Sequence, residues 1–380
     1  MALTSKLPNS GTSIFAVMSG LARETGAINL SQGFPNFDCP EELKQLVYHY
    51  MQKGHNQYAP MPGIPLLRER LMEKYHRLYG CGLDPVEEIT ITAGATQAIF
   101  TSIMAFVHPG DEVIIFEPAY DSYVPAIRLC GATPVAYKMA PPKYNIDWEE
   151  VRRLITPKTR LIIINTPHNP SGQVLTEEDL GQLRTIARAN DLLFIFDEVY
   201  EHLIYDDIPH YSALRYSDLY SKSIVIYSFG KTYHNTGWKM GYAIAPPKLT
   251  KEIRKVHQFN VFSVNTPTQF ALADYLLNED WYRDLPSFYQ EKRDAFLDIL
   301  SHTRFTPIPC QGTYFQLASY AAISDEGDLA FAERITREFG VACIPVSAFY
   351  MDKSDYKVVR FCFAKTRDVL EAAGERLSLI

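Results

Sequence analysis

The chain has 380 residues, 47% of them hydrophobic and 21% charged, enough to bury one large core and a second, smaller one. With a net charge of −7 and no run of Lys or Arg long enough to make a basic stripe, the sequence argues against nucleic acid as a partner. The opening stretch MALTSKLPNSGTSIF lacks the basic head and long apolar run of a secretory signal, and no segment approaches the ~18 uninterrupted apolar residues of a membrane span, so the expected location is the cytoplasm.

Cys39, Cys81, Cys130, Cys310, Cys343 and Cys362 are scattered, with no Cys-x-x-Cys pair and no His at ligand spacing. They read as reduced, mostly buried thiols, and no metal is expected. From about residue 41 the chain alternates helix-like stretches with short apolar runs: IFTSIMAF, EVIIFEP, LIIINTP, LLFIFDE and SIVIYSFG. Short β-rich runs between helices predict a largely parallel sheet covered on both faces. The run EITITA is followed by Gly94-Ala95-Thr96, which opens a helix and aims the amides of Ala95 and Thr96 at an anion. Near residue 280 the pattern changes to a long charged helix, DLPSFYQEKRDAFLDILSH, then strand-like pieces around Gly312 to Leu317 and Lys357 to Ala364. The expected division is an N-terminal segment, 1–38, that joins a small domain; a large domain, 39–279; and the small C-terminal domain, 280–380.

Ligands of open parallel sheets lie beyond the carboxyl ends of the strands, so the residues after the apolar runs are the informative ones. LLFIF ends in Asp197 of DEVY. Taken alone, that carboxylate is more readily a helix cap or half of a structural ion pair. SIVIY runs into SFGKT, and a lysine at the mouth of a buried sheet binds an anion or reacts. Gly-Lys-Thr invites a phosphate-loop reading, but that motif needs a glycine five residues before Gly230, where Val225 stands inside the strand. Arg360 in KVVRFCFA is an arginine in an apolar strand, costly unless it finds a carboxylate.

Asn169 in NTPHNPSG, Asp197 and Tyr200 in DEVY, and Ser228, Lys231 and Lys239 in SFGKTYHNTGWKMG follow three successive strands in one order. The set resembles the class I aminotransferases of fold type I, which use pyridoxal 5′-phosphate. SQGFP, QYAPMPG, AGATQA and EPAYDSY resemble the branch that contains methionine aminotransferases and kynurenine or glutamine transaminases. The resemblance extends from about residue 12 to 365. It implies an α/β fold, a large domain with a mostly parallel seven-stranded sheet plus a small α+β domain.

It also implies roles. Lys231 would hold the cofactor as a Schiff base and then move the α-proton. Asp197 would keep the pyridine nitrogen protonated, while Tyr200 and Asn169 reach the ring's phenolic oxygen. Ala95, Thr96, Ser228 and Lys239 would take the phosphate, with Lys239 standing where many relatives carry an arginine that grips two oxygens. Tyr120 would stack on the ring. Arg360 would receive the substrate α-carboxylate beside Asn169, Phe15 and Tyr120, and Gly33 matches a position where backbone passes close to substrate. Tyr58 matches a tyrosine donated across a homodimer interface to the neighbour's phosphate.

The implied reaction is ping-pong transfer of an amino group from an amino acid to a 2-oxo acid. Arg360 accounts for one carboxylate, and the motifs contain no second arginine for a distal one. Phe15, Met18, Phe34, Tyr58, Tyr120, Phe262 and Phe349 are expected as apolar walls, which reward burial of an uncharged side chain by about 1–3 kcal/mol and penalise an unpaired charge by more. Methionine, aromatic amino acids, kynurenine or glutamine are therefore expected as donors, unless Arg128 or Arg254 reaches the pocket. Two alternatives remain at the level of sequence. A β-lyase acting on cystathionine or cysteine conjugates would use the same residues. The aminotransferase-like sensor of certain transcription regulators would carry a winged-helix domain ahead of it, whereas here the resemblance begins within the first fifteen residues.

Overall fold

The central apolar runs are rich in Ile, Val and Phe, which favour extended backbone when both faces are covered. A computed structural model describes residues 3–8 and 10–380. In chain order its strands are β1 (Ile28–Asn29), β2 (Ile89–Thr92), β3 (Glu112–Glu117), β4 (Thr133–Lys138), β5 (Thr159–Asn165), β6 (Leu193–Asp197), β7 (Ser223–Ser228), β8 (Gly241–Ile244), β9 (Thr306–Pro307), β10 (Phe315–Ser319), β11 (Val341–Ala342), β12 (Ile344–Pro345) and β13 (Val358–Cys362). Seven of them form one sheet in the order β2-β8-β7-β6-β5-β3-β4. Only β8 runs against its neighbours, so the sheet is mostly parallel, as the resemblance implies.

Residues alternate between the two faces of each strand. Ile162, Ile164, Phe194, Phe196 and Val225 enter one core, and Leu161, Ile163, Ile195, Ile224 and Ile226 enter the other. One of the apolar runs is not a strand. IFTSIMAF is the body of the helix Ala95–Phe106, whose Ala98, Ile99, Thr101, Ser102, Ile103 and Phe106 are all buried. A helix covered on most of its circumference shows no polar stripe, so eight of its residues look like a buried strand.

The remaining strands tie the two chain ends together. β12, β13, β10 and β9 form an antiparallel sheet in that order, with Arg360 of β13 facing Leu317 of β10 and Ile344 of β12. β1 pairs in parallel with β11, Ile28 against Val341 and Asn29 against Ala342. The charged helix runs over Asp280–Ser301, opening ahead of Asp284, and buries Tyr282, Leu285, Tyr289, Arg293, Phe296 and Leu300 at helical spacing. All six cysteines are free; Cys39, Cys310, Cys343 and Cys362 are buried, Cys81 and Cys130 half-buried. No helix among the described residues is long and apolar enough to cross a membrane.

Candidate active site

Strand register sets the first part of the site. β5 and β6 end side by side, with Asn165 directly opposite Asp197. The Asn165 side chain donates to the Asp197 carbonyl at 2.9 Å and accepts the Asn169 backbone N–H at 2.7 Å, so it spans the two strand ends. Asp197 is only 4% exposed. The Tyr123 hydroxyl donates to its Oδ2 at 2.5 Å, while Oδ1 has no hydrogen-bond partner, and the residue lines a cavity of about 470 Å³. Burial pushes this carboxyl up to about 6, against the pull of the Tyr123 hydroxyl and the Lys231 charge.

β7 ends at Ser228, and one helical turn, Phe229–Thr232, carries Lys231 into the same cavity. Gly230 permits that turn, since a Cβ there would meet the Thr236 Cα at 2.9 Å. The Lys231 Nζ donates to the Tyr314 hydroxyl at 2.6 Å and lies 5.3 Å from the centre of the Tyr200 ring. Burial pushes its ammonium down to about 8, so the neutral amine is far more accessible near neutral pH than for an ordinary lysine.

The opposite wall can receive an anion. Gly94, at φ +82°, caps the helix Ala95–Phe106, whose first-turn N–H groups have no intrahelical acceptors. β8 passes directly beneath: a Cβ on Gly241 would strike Ala95 N at 2.7 Å and the Tyr227 carbonyl oxygen at 2.8 Å. Lys239 brings its Nζ to within 3.6 Å of the point a Gly94 Cβ would take, which sets a positive charge over the helix start. Ser228 lies on the same wall, and the Thr96 and Tyr120 hydroxyls meet at 3.3 Å.

Arg360 closes the far end and is 1% exposed. It donates to Asn169 Oδ1 at 2.9 Å and to the Ser31 carbonyl at 3.1 Å, and its Nε has no partner. Phe315 stacks on the guanidinium at 3.8 Å, with Phe15 and Phe349 each at 5.2 Å. Burial pushes the group down to about 10, still charged at neutral pH with donors left for a carboxylate. A Cβ on Gly33 would lie 2.6 Å from Phe315 Cζ, which is why this backbone can come so close.

Of the residues singled out in the sequence, Phe15, Gly33, Ala95, Thr96, Tyr120, Asn169, Asp197, Tyr200, Ser228, Lys231, Lys239 and Arg360 all line the one cavity. Tyr58 does not; it is 82% exposed and packs edge-on against Phe262 at 5.4 Å. The expected apolar walls need correction. Phe34 joins Phe15 and Tyr120 on the cavity, but Met18 is fully buried in the core because it lies on the inner face of the helix Ile14–Thr25. Phe349 is buried behind Arg360, and Phe262 is at the surface with Tyr58. Arg254 is tied to Thr90, Val86 and Ile89, and Arg128 lines a separate shallow cleft. Tyr123, Asn165, Gly241, Tyr314 and Phe315 were not singled out by the sequence. Only Asn165, a polar end to an apolar run, and Tyr123, three residues after Tyr120, carry a local sign.

Residues 25–377 match the sequence profile of the aminotransferase class I and II family. The chain belongs to that family. It is 48% identical to the methionine aminotransferase of Escherichia coli K12, over 98% of this chain and 97% of that one. It is 34% identical to a kynurenine–oxoglutarate transaminase of Dictyostelium discoideum, over 97% of this chain and 94% of that one. The crystal structure of YbdL from Escherichia coli, described as identifying a methionine aminotransferase function, superposes with a TM-score of 0.98 at 47% identity and covers both chains fully.

This aminotransferase thus acts on amino acids and 2-oxo acids with pyridoxal phosphate as cofactor. The residues present fit that group. An unpartnered buried Asp197 Oδ1 suits a protonated ring nitrogen, the Lys231 amine suits an aldehyde, and the glycine-lined helix start with Lys239 suits a phosphate.

Proposed function

We propose that this aminotransferase takes the amino group of an uncharged amino acid, methionine or an aromatic one foremost, and passes it to a 2-oxo acid, with Lys231 as nucleophile and base. The observation that carries the proposal is that Asp197 Oδ1, the Lys231 amine and Arg360 share one cavity in which Arg360 is the lone arginine among the described residues. Bound there, pyridoxal phosphate supplies an aldehyde for the amino group and an electron-poor ring for the electron pair that the α-proton leaves behind. Ala95, Thr96, Ser228 and Lys239 hold the phosphate end. Asp197 would offer its free oxygen to the ring nitrogen, and Tyr123 keeps that carboxylate from rotating. Tyr200 and Asn169 would reach the phenolic oxygen, and Tyr120 would cover the ring. Arg360 binds the α-carboxylate and thereby sets the α-proton toward Lys231, which removes it from one atom and returns it to another.

Substrate class is supported by what surrounds the side-chain end. Phe15, Phe34, Tyr120 and Phe315 line it, and a second cation able to pair with a distal carboxylate is missing from the Arg128 and Arg254 positions. The 48% identity with a methionine aminotransferase supports the same reading. Measuring kcat/KM for methionine, phenylalanine, kynurenine, glutamine and aspartate side by side tests it; an aspartate value equal to or above that of methionine overturns it. Lys231 is tested separately. Borohydride reduction of the cofactor-loaded enzyme followed by peptide mapping should mark Lys231, and Lys231→Ala should lose transamination by several orders of magnitude. Label on any other lysine overturns the assignment.

The same reading includes a cytoplasmic homodimer in which Tyr58 reaches the neighbour's phosphate, supported by the exposure of Tyr58. It also includes a division into 1–38, 39–279 and 280–380, supported by the separate sheets formed by residues 89–244 and 306–362.

A further inference from the structure

We propose that Tyr314 is a positioning residue that holds the Lys231 amine with its lone pair turned toward the substrate, because the tyrosine's own proton is committed to the Gly33 carbonyl. The geometry is a two-step chain. Lys231 Nζ donates to Tyr314 Oη at 2.6 Å, and Tyr314 Oη donates to the Gly33 oxygen at 2.6 Å. A tyrosine has one hydroxyl proton. Spent on Gly33, it cannot cap the amine's lone pair; the hydroxyl accepts an N–H instead, and the lone pair is left for the α-proton.

The tyrosine has little freedom to do otherwise. It is fully buried and wedged against the Tyr200 ring at 5.3 Å, the Phe315 ring at 4.9 Å and the Tyr289 ring at 5.8 Å. Its acceptor is fixed as well. The Gly33 backbone presses against Phe315 where a Cβ would clash at 2.6 Å, and the next carbonyl, of Phe34, accepts Lys365 Nζ at 2.7 Å. The same segment accepts Arg360 through the Ser31 carbonyl. One stretch of backbone, residues 31–34, therefore registers both the carboxylate-binding guanidinium and, through Tyr314, the base. The α-proton is carried between those two groups, and an error of about 1 Å there costs about 100-fold in rate.

The inference rests on Lys231 being the base, and three measurements separate the two ideas. Tyr314→Phe deletes one oxygen. In the half-reaction with methionine it should leave KM within about threefold, lower kcat by about 10- to 100-fold and raise the α-deuterium isotope effect, because proton abstraction becomes slower than the steps around it. In the cofactor-free protein, the pH midpoint for acylation of Lys231, read by peptide mass, should move down, since the ammonium loses an acceptor. Gly33→Ala would displace the carbonyl that accepts the tyrosine proton, because its Cβ would meet the Phe315 ring at 2.6 Å. It should slow the same step and also raise KM, because the displaced Phe315 ring stacks on Arg360. Wild-type kcat and isotope effect in Tyr314→Phe, an unmoved acylation midpoint, or a loss confined to KM would each overturn the proposal. Borohydride label on a lysine other than Lys231 would instead overturn the parent reading.

Discussion

Asp197 keeps one oxygen on Tyr123 and the other free, which makes its charge the most consequential in the site. Asp197→Asn should cut turnover by several orders of magnitude, because an amide does not hold a ring nitrogen protonated. The same change should stabilise the cofactor-free protein. The folded carboxyl titrates near 6 rather than 3.8. Between those values the folded protein holds a proton that the unfolded chain has released, so stability falls as pH rises through that window. The variant escapes a loss on the order of 2–3 kcal/mol. Its advantage in urea denaturation should be absent at pH 3, grow between pH 4 and 6, and be nearly complete at pH 7; an advantage independent of pH would refute the assignment. Lys231, Asp197 and Arg360 were legible in the sequence because each is a charge set against an apolar run. Tyr123 showed only as the last residue of EPAYDSY, and Tyr314 not at all. Each is one of 24 tyrosines, and their partners lie 74 and 83 residues away.

At the scale of elements, the phosphate wall depends on β8 crossing under the start of the helix Ala95–Phe106. Gly241→Ala would set a methyl 2.7 Å from Ala95 N and 2.8 Å from the Tyr227 oxygen, both backbone atoms that cannot swing aside. Helix and strand must separate, and the amides lose their aim. Cofactor affinity measured by fluorescence titration should fall at least about tenfold, equivalent to roughly 1.4 kcal/mol. Gly20→Ala is the control. Nothing lies within 4 Å of its Cβ, it belongs to the helix Ile14–Thr25, and it should leave affinity unchanged while adding about 0.5–1 kcal/mol of stability. An equal loss of affinity in both variants would refute the crossing as the cause. Strand ends were legible here because β-rich runs stop where polar residues begin. The helix within IFTSIMAF was not, because a period of 3.6 is visible only where one side of a helix is wet.

At the scale of the whole molecule, the exposed pair Tyr58 and Phe262 packs edge-on at 5.4 Å, large apolar rings of the kind a second copy covers. The enzyme should sediment at twice the chain mass. Tyr58→Ala and Lys231→Ala should each be nearly inactive alone, yet their co-expressed hybrid should recover about a quarter of the wild-type activity, since half the dimers then hold one complete site. Recovery of nothing, or sedimentation at the chain mass, would refute the shared site. The ladder between β1 and β11 has another consequence, one of timing. Ile28 finds its place only against Val341, and Leu30 accepts the N–H of Cys362 at 2.8 Å, so this segment waits for partners made far later in the same chain. The backbone that holds Arg360 and Tyr314 is therefore assembled only after Cys362 has been made, whereas the central sheet has all its strands once Ile244 has been, so a nascent chain has a sheet before it has a working catalyst.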